Sequence, residues 1–460
     1  MLVKLELIVI TVYFLGIVAV GVAGRRKARE ADDFFVAGRR GTTPFITGSL
    51  VATIVGGSAI MVTSRLGFTQ GLTGAWWLLV GSIGLIALGI FLAKKVREFG
   101  LYTLPELVEK QYDKRVAFAA SVLIVVAWVG VISAQIIAAG SIMGILGIGD
   151  PVLWMVIFTG VFVVYTLIGG QHAIIRTDSL QAVIIFVGIF SALVLVLVNL
   201  GGFAGLRDAL PAEQFAFPLS SHFDGYELVK LLLLVGLTYV VGPDMYSRLF
   251  SAKDGGVARK SVLWTALLIV PVAIAITLIG MGASALFPDI SPGEAFPTVI
   301  IEVLPSFAGG IVLAALLCAF MSSADTTLLT ASAILSVDIL GTIRPSLSKK
   351  KLLVLSRWGI VVLGVAALLL AWRMQNIVDA ILFAYTVYTG GLIIPILAGF
   401  YKNKLRLTPA GAMAAIVGGG SAALISKISD IKYLDMASLL ISAILLFGVS
   451  YLSRRIRVGK

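Results

Sequence analysis

The residues best suited to chemistry lie in one apolar stretch, residues 318–332, which reads CAFMSSADTTLLTAS. Its hydroxyl residues recur at helical spacing, so they share one face of a helix. A small hard cation takes several oxygen ligands, which serine hydroxyls and freed backbone carbonyls supply without a full buried charge. The pattern therefore predicts an ion site formed by Ala319, Ser322 and Ser323. A purely structural interpretation stays open, because such hydroxyls also bond to helix carbonyls or to neighbouring helices.

Two acids accompany these hydroxyls. Asp325 lies within the stretch itself, and Asp178 lies at the start of an earlier apolar segment. Ionisable side chains within membrane segments are unfavourable to bury and mark functional sites. Both acids are therefore candidates for a functional role.

The composition indicates what kind of protein positions these residues. The chain has 460 residues, of which 59% are hydrophobic and 13% charged, and its mean hydropathy is +1.04. A soluble protein has about a quarter charged residues, whereas many windows here span a membrane's thickness of about 20 residues without charge. We therefore predict an all-α polytopic membrane protein. The net charge of +12 comes from basic loops and does not indicate nucleic-acid binding.

The positive-inside rule predicts the topology. With the N-terminus outside and the C-terminus cytoplasmic, most of the 36 lysines and arginines lie on the cytoplasmic side. The first span is predicted to be an uncleaved helix, because basic residues rather than a cleavage site follow it. About thirteen spans are predicted, over residues 5–23, 43–67, 72–93, 117–147, 152–168, 176–200, 227–247, 261–287, 307–335, 353–372, 377–400, 408–429 and 436–453.

Two of these spans contain helix-breaking residues. Gly56-Gly57 lies in the middle of the second span, and Gly242-Pro243 lies at a comparable depth in the seventh. Backbone groups freed by such breaks survive in a membrane only where they line a cavity or bind something. The breaks are separated by an odd number of spans, so they predict two inverted five-helix repeats, each beginning with a broken helix. The predicted divisions are 1–40, with the first helix and a cytoplasmic loop, 41–202 and 203–402 for the repeats, and 403–460 for two final helices and a basic tail.

Several segments resemble motifs of the sodium:solute symporter family. They are ADDFFVAGRR (31–40), YTLPELVEKQYDKR (102–115), GGQHAIIRTDSLQ (169–181), DMYSRLFSAKD (244–254) and MSSADTTLLTAS (321–332). The resemblance covers almost the whole chain. It implies the inverted-repeat fold of amino-acid transporters and Na⁺ as the coupling ion. It also implies sodium ligands at the carbonyls of Ala52, Val55 and Ala319 and at the hydroxyls of Ser322 and Ser323.

The resemblance implies two further groups of site residues. Some family members bind a second sodium, and the matching positions here are Asp178, Asp325 and Thr326. Because an acid replaces a hydroxyl at 325, either a second cation or a proton is expected there. The expected solute-binding residues are Gly56, Gly57, Ser58, Ala59, Trp128, Gln135, Tyr239, Tyr385 and Tyr388. Trp76 and Trp77 are instead expected in an interfacial aromatic belt.

The predicted function is sodium-coupled import of a small organic solute, such as proline or a related amino acid, by alternating access. A proton-coupled symporter of the same fold and an ion channel stay open as alternatives. A membrane aspartyl protease is disfavoured, because the topology puts Asp113 inside and Asp150 outside. The sequence has no GxxxxGK[ST] phosphate loop, so ATP does not drive transport directly, and we expect no enzymatic activity. The expected partners are the solute and the lipid bilayer of the cytoplasmic membrane, without nucleic acid or an obligate protein partner.

Overall fold

A computed structural model describes residues 8, 11–17, 19–20, 30–147, 149–374, 376–429 and 433–458. Of the predicted first span, 5–23, only residues 8, 11–17 and 19–20 are described, and these are helical. The basic segment 25–29 after it lies outside the described residues. In the described part, ten segments are long and apolar enough to cross a membrane, and a shorter apolar helix covers Thr43–Ile54. The prediction of an all-helical membrane fold is therefore confirmed, whereas the total of thirteen spans and the orientation of the termini stay predictions.

The helices follow one another with short connections. They are α1 (Ala31–Val36), α2 (Thr43–Ile54), α3 (Gly57–Gln70), α4 (Trp76–Ala87), α5 (Ala93–Glu98), α6 (Leu104–Gln111), α7 (Lys114–Ile145), α8 (Pro151–Asn199), α9 (Gly202–Ala209), α10 (Gly225–Leu231), α11 (Leu237–Val241), α12 (Pro243–Ser251), α13 (Gly255–Leu286), α14 (Ala295–Thr298), α15 (Ser306–Ala333), α16 (Gly341–Ile343), α17 (Lys349–Met374), α18 (Ile377–Tyr388), α19 (Ile394–Gly399), α20 (Lys402–Leu405), α21 (Pro409–Ser429) and α22 (Leu434–Val458).

Both predicted helix breaks are present. The chain leaves helical geometry at Val55 (ψ 50°) and is extended at Gly56 (ψ 162°), so α2 and α3 form one interrupted span. Gly242 is extended as well (ψ 134°), and Pro243 begins α12 at the position where its missing N–H is tolerated. Each predicted repeat therefore begins with an interrupted helix.

The helix α8 contains two predicted spans in one element. Its 49 residues would extend about 74 Å if straight, more than twice the thickness of a bilayer. Gly170 is the one non-helical residue inside it, with φ 55° and ψ −167°. The Tyr165 hydroxyl lies 2.5 Å from Thr177 Oγ1, although twelve residues of straight helix would span about 18 Å. The two halves therefore fold back on each other at Gly170, and the loop predicted between 168 and 176 is reduced to this single residue.

The helix that carries the polar stretch lies at the centre of the molecule. In the apolar part of α15 and its extension to Ile343, 78% of residues are buried, against 28% in α22. α15 packs against α8, α7 and α2, and α13 packs against α2, α3 and α4. The predicted ion-site helix is thus surrounded by protein rather than by lipid.

Candidate ion and solute site

The break after α2 supplies free carbonyls to α15. The last carbonyls of a helix have no helical partner, and here two of them accept serine hydroxyls. Ser322 Oγ donates to the Ala52 carbonyl and Ser323 Oγ donates to the Thr53 carbonyl, both at 2.7 Å. Ser322 Oγ also lies 3.2 Å from the Ala319 carbonyl oxygen. Five oxygen atoms from two helices therefore meet at a buried point.

This oxygen cluster includes four of the five predicted sodium ligands. Val55, the fifth, is fully buried at the residue where α2 ends. The next residue must be glycine, because a Cβ on Gly56 would lie 2.2 Å from Ser323 Oγ. The carbonyl of Thr53 joins the cluster in addition to the predicted ligands. Hydroxyl hydrogens rotate freely, so both serines can turn their lone pairs toward a small cation, and the oxygen set suits sodium.

The three residues expected to hold a second cation surround an arginine. Arg248 is fully buried, and its Nη2 lies 2.9 Å from Asp178 Oδ2. Its Nη2 also donates to Thr326 Oγ1. Thr326 Oγ1 in turn donates to Asp325 Oδ1 at 3.3 Å. The structure therefore brings Asp178, Asp325 and Thr326 together, with the guanidinium of Arg248, one residue beyond the predicted span 227–247, among them.

A small cavity lies beside the oxygen cluster. Its volume is about 40 Å³. Gln135 spans one wall, because its Nε2 donates to Ser58 Oγ at 2.6 Å and its Oε1 accepts the Ser58 N–H at 3.2 Å. The predicted solute-binding residues in the lining are Gly56, Ser58, Ala59, Gln135, Tyr239 and Tyr385.

Three predicted solute-binding residues do not line this cavity. Trp128 packs edge-on against Tyr388, with ring centroids 4.9 Å apart. The Tyr388 hydroxyl donates to the Val241 carbonyl at 2.5 Å, and so satisfies the end of α11. A Cβ on Gly57 would lie 1.6 Å from the Phe320 ring, so this glycine allows α3 to approach α15 closely. These residues shape the breaks rather than the cavity wall.

The interpretation of Trp76 and Trp77 as a belt is wrong for one of them. Trp76 stacks on Phe217 and donates its Nε1 to the Pro218 carbonyl at 2.8 Å. Trp77 is only 7% exposed and lines the cavity. Successive residues on a helix point about 100° apart, and here this rotation turns Trp77 toward the cavity while Trp76 packs on Phe217.

Two site residues carried only a weak signal in the sequence. Arg248 follows the Gly-Pro break by five residues, and its charge resembles the loop charges next to it. Asp244 lies in the first turn of α12 and lines the cavity. The signal available in the sequence was position. A charged residue within two turns after a helix break in a membrane span indicates a site residue rather than a loop residue.

Known proteins resemble this chain over most of its length. The zebrafish sodium/glucose cotransporter 4 is 27% identical over 80% of the chain and 62% of the relative's own length. The high-affinity proline transporter PutP of Bacillus subtilis is 26% identical over 95% of both chains. The structure of a Na⁺-coupled sialic acid symporter in a substrate-bound outward-open state superposes with a TM-score of 0.85, at 18% identity over 97% of both chains.

The family comparison covers most of the chain. The sequence pattern of the sodium:solute symporter family matches residues 34–419, which include both interrupted helices and α15. Transporters of this kind are integral proteins of the plasma membrane, and the ten apolar segments described above agree with that location. The chain therefore belongs to the sodium:solute symporter family.

Proposed function

We propose that this protein imports a small amino acid or a similar organic solute together with sodium by alternating access. Sodium-coupled symport itself follows from the family. The main observation in support of the proposed ion site is a pair of hydrogen bonds. The hydroxyls of Ser322 and Ser323 donate to carbonyls at the end of the broken helix, at 2.7 Å each. Sodium bound there joins α15 to the end of α2 and so completes the wall of the adjoining solute cavity.

The amino-acid assignment is supported by the cavity and by one relative. The lining combines an amide, a hydroxyl and a carboxylate with aromatic rings, through Gln135, Ser58, Asp244 and Tyr239. Such a lining offers acceptors for an ammonium group and donors for a carboxylate. The Bacillus relative transports proline by name, whereas the zebrafish relative is named for glucose.

Uptake into proteoliposomes tests sodium coupling. With an inward sodium gradient, the purified protein should accumulate its solute, and replacing external sodium by potassium should abolish accumulation. A sodium ion entering at about 100 mV contributes roughly 2.3 kcal/mol before its concentration gradient is added. Uptake that is indifferent to the replacement contradicts sodium coupling. Competition by L-proline, other amino acids, glucose and quaternary amines identifies the solute class, and inhibition by sugars alone contradicts the amino-acid assignment.

Removal of single hydroxyls tests the ion site. Ser322→Ala and Ser323→Ala should each raise the sodium concentration for half-maximal uptake about tenfold, which corresponds to about 1.4 kcal/mol of lost binding. Ser332→Ala is the matched control, because this hydroxyl lies on the same helix but contacts Leu329 and Ser356 instead. An equal change in the control, or none in the two site variants, would show that the serines do not bind sodium.

A further inference from the structure

We propose that the guanidinium of Arg248 takes the place of a second sodium ion, so that the protein binds one sodium per transport cycle. The inference rests on the proposed sodium site at Ser322 and Ser323 and adds its stoichiometry. It concerns the buried cluster of Asp178, Asp325 and Thr326, which sequence resemblance assigns to a further cation or a proton.

The contacts of Arg248 are those that a bound cation would make. Its Nη2 lies 2.9 Å from Asp178 Oδ2 and 3.2 Å from Thr53 Oγ1, and it also donates to Thr326 Oγ1. Its Nε donates to Ser49 Oγ at 3.0 Å. One carboxylate and three hydroxyls from α2, α8 and α15 thus converge on a single positive group.

The guanidinium and a sodium ion compete for the same oxygens. Ser49 Oγ donates to Asp178 Oδ2 at 2.6 Å, so this carboxylate oxygen already accepts two short bonds. A sodium ion bound by Asp178 and Thr326 would lie in contact with the guanidinium, where like charges repel strongly in a low-dielectric interior. Arginine stays protonated in proteins, so its charge does not leave when the external ion concentration falls.

The charge balance favours one mobile ion. Asp178, Asp325 and Arg248 are each fully buried, and Asp178–Arg248 is the one buried salt bridge among the described residues. With both acids ionised, the three groups together carry one negative charge. Asp325 lies two residues after Ser323, and its Oδ2 has no hydrogen-bond partner within the described part of the chain. One sodium at the serine pair neutralises the whole group, and a second would leave an excess positive charge.

The same arginine connects the second broken helix to the ion site. Arg248 belongs to α12, which follows the Gly242 break, and its partners Ser49 and Thr53 belong to α2, which precedes the other break. A sodium ion in this position would be released in every cycle. A tethered cation instead holds α12 against α2 and α8 whether or not sodium is bound.

Equilibrium binding of radioactive ²²Na⁺ to the purified full chain in detergent tests the inference without knowledge of the solute. We expect one sodium per chain and a Hill coefficient near 1. Two sodium ions per chain would overturn the inference and leave the proposed function intact. Absence of any bound sodium would overturn both. Ser322→Ala should weaken the binding of this ion about tenfold, and an unchanged sodium affinity in that variant would assign the ion to the arginine cluster and contradict the inference.

Two substitutions at Arg248 extend the test. Arg248→Ser shortens the side chain and removes its positive charge, which frees the position for an ion. We therefore expect two sodium ions per chain and a Hill coefficient that rises toward 2. Arg248→Lys retains a tethered cation, so one sodium per chain is expected. If the folded serine variant still binds one sodium, the arginine does not replace an ion. If the serine variant does not fold, the wild-type stoichiometry still decides.

Discussion

At the scale of single residues, the side-chain amide of Gln135 is held by hydrogen bonds at both ends. Both ends of its amide are used by Ser58, which lies in the first turn of α3 after the break. The pair fixes that first turn against α7, at the level where the carbonyls of α2 are freed. A buried amide that loses its partner leaves a polar group unsatisfied, which destabilises by about 1–3 kcal/mol.

Gln135→Ala should therefore lower the apparent solute affinity at least tenfold in uptake assays. The reason is that the substitution frees Ser58 and removes one polar group from the cavity wall. Gln111→Ala is the control, since this buried glutamine donates to the Ile396 carbonyl and neither residue lines the cavity. Both variants are expected to lose similar thermal stability, measured as Tm. Equal solute affinity in the two variants would show that Gln135 is a structural residue only.

At the scale of helices, the contact between α3 and α15 depends on the absence of a side chain at position 57. Gly57→Ala should destabilise the protein by about 1–3 kcal/mol through overpacking, because the added Cβ would lie 1.6 Å from the Phe320 ring. It should also raise the sodium concentration for half-maximal uptake, since α3 would be pushed from the helix that bears the serines. Gly160→Ala, also inside a helix, should cause no such loss, because its Cβ would meet nothing within 4 Å.

A second substitution distinguishes local crowding from other effects of Gly57→Ala. Phe320→Leu shortens the opposing side chain, so the double variant should recover part of the lost Tm and part of the sodium affinity. Two losses that simply add would contradict the proposed contact.

The helical elements also show which structural features can be predicted from the sequence. Gly56-Gly57 and Gly242-Pro243 predicted both breaks, because backbone restrictions at glycine and proline act locally. The spacing of Ser322 and Ser323 predicted their shared face for the same reason. The pairing of Arg248 with Asp178 joins residues 70 positions apart, and no local preference encodes it. The places of Trp128 and Tyr388 likewise depend on how α11 packs, so no local pattern indicates that they lie outside the wall of the described cavity.

At the scale of the whole molecule, the segments on the predicted cytoplasmic side are bonded across the bundle. Gly41 N–H donates to the Ser251 carbonyl at 3.0 Å, and Lys253 N–H donates to the Gly41 carbonyl at 2.8 Å. Arg97 donates to the carbonyls of Ala252 and Lys253 at 2.5 and 3.1 Å. These bonds join the start of α2, the end of α5 and the end of α12. They hold these three segments together on the predicted cytoplasmic side.

Arg97→Ala should therefore favour opening on the predicted cytoplasmic side and raise the sodium concentration for half-maximal uptake several-fold. The physical reason is that sodium binds the state in which α2 and α15 are joined, and a weaker closure lowers the population of that state. Lys94→Ala is the control, because Lys94 forms an exposed pair with Glu98 at 3.9 Å, and such pairs contribute little. An identical sodium dependence of uptake in both variants would show that the hydrogen bonds of Arg97 do not affect the transport cycle.

The small cavity has a consequence for how tightly any solute binds. A volume of about 40 Å³ holds no more than about three water molecules, whereas pockets for organic ligands measure about 300 Å³ or more. The solute must therefore bind a form of the protein in which the walls have separated. Its measured affinity is then the intrinsic affinity multiplied by the fraction of molecules already in that expanded form. Substitutions far from the cavity that favour expansion will accordingly tighten solute binding without adding a single contact to the solute.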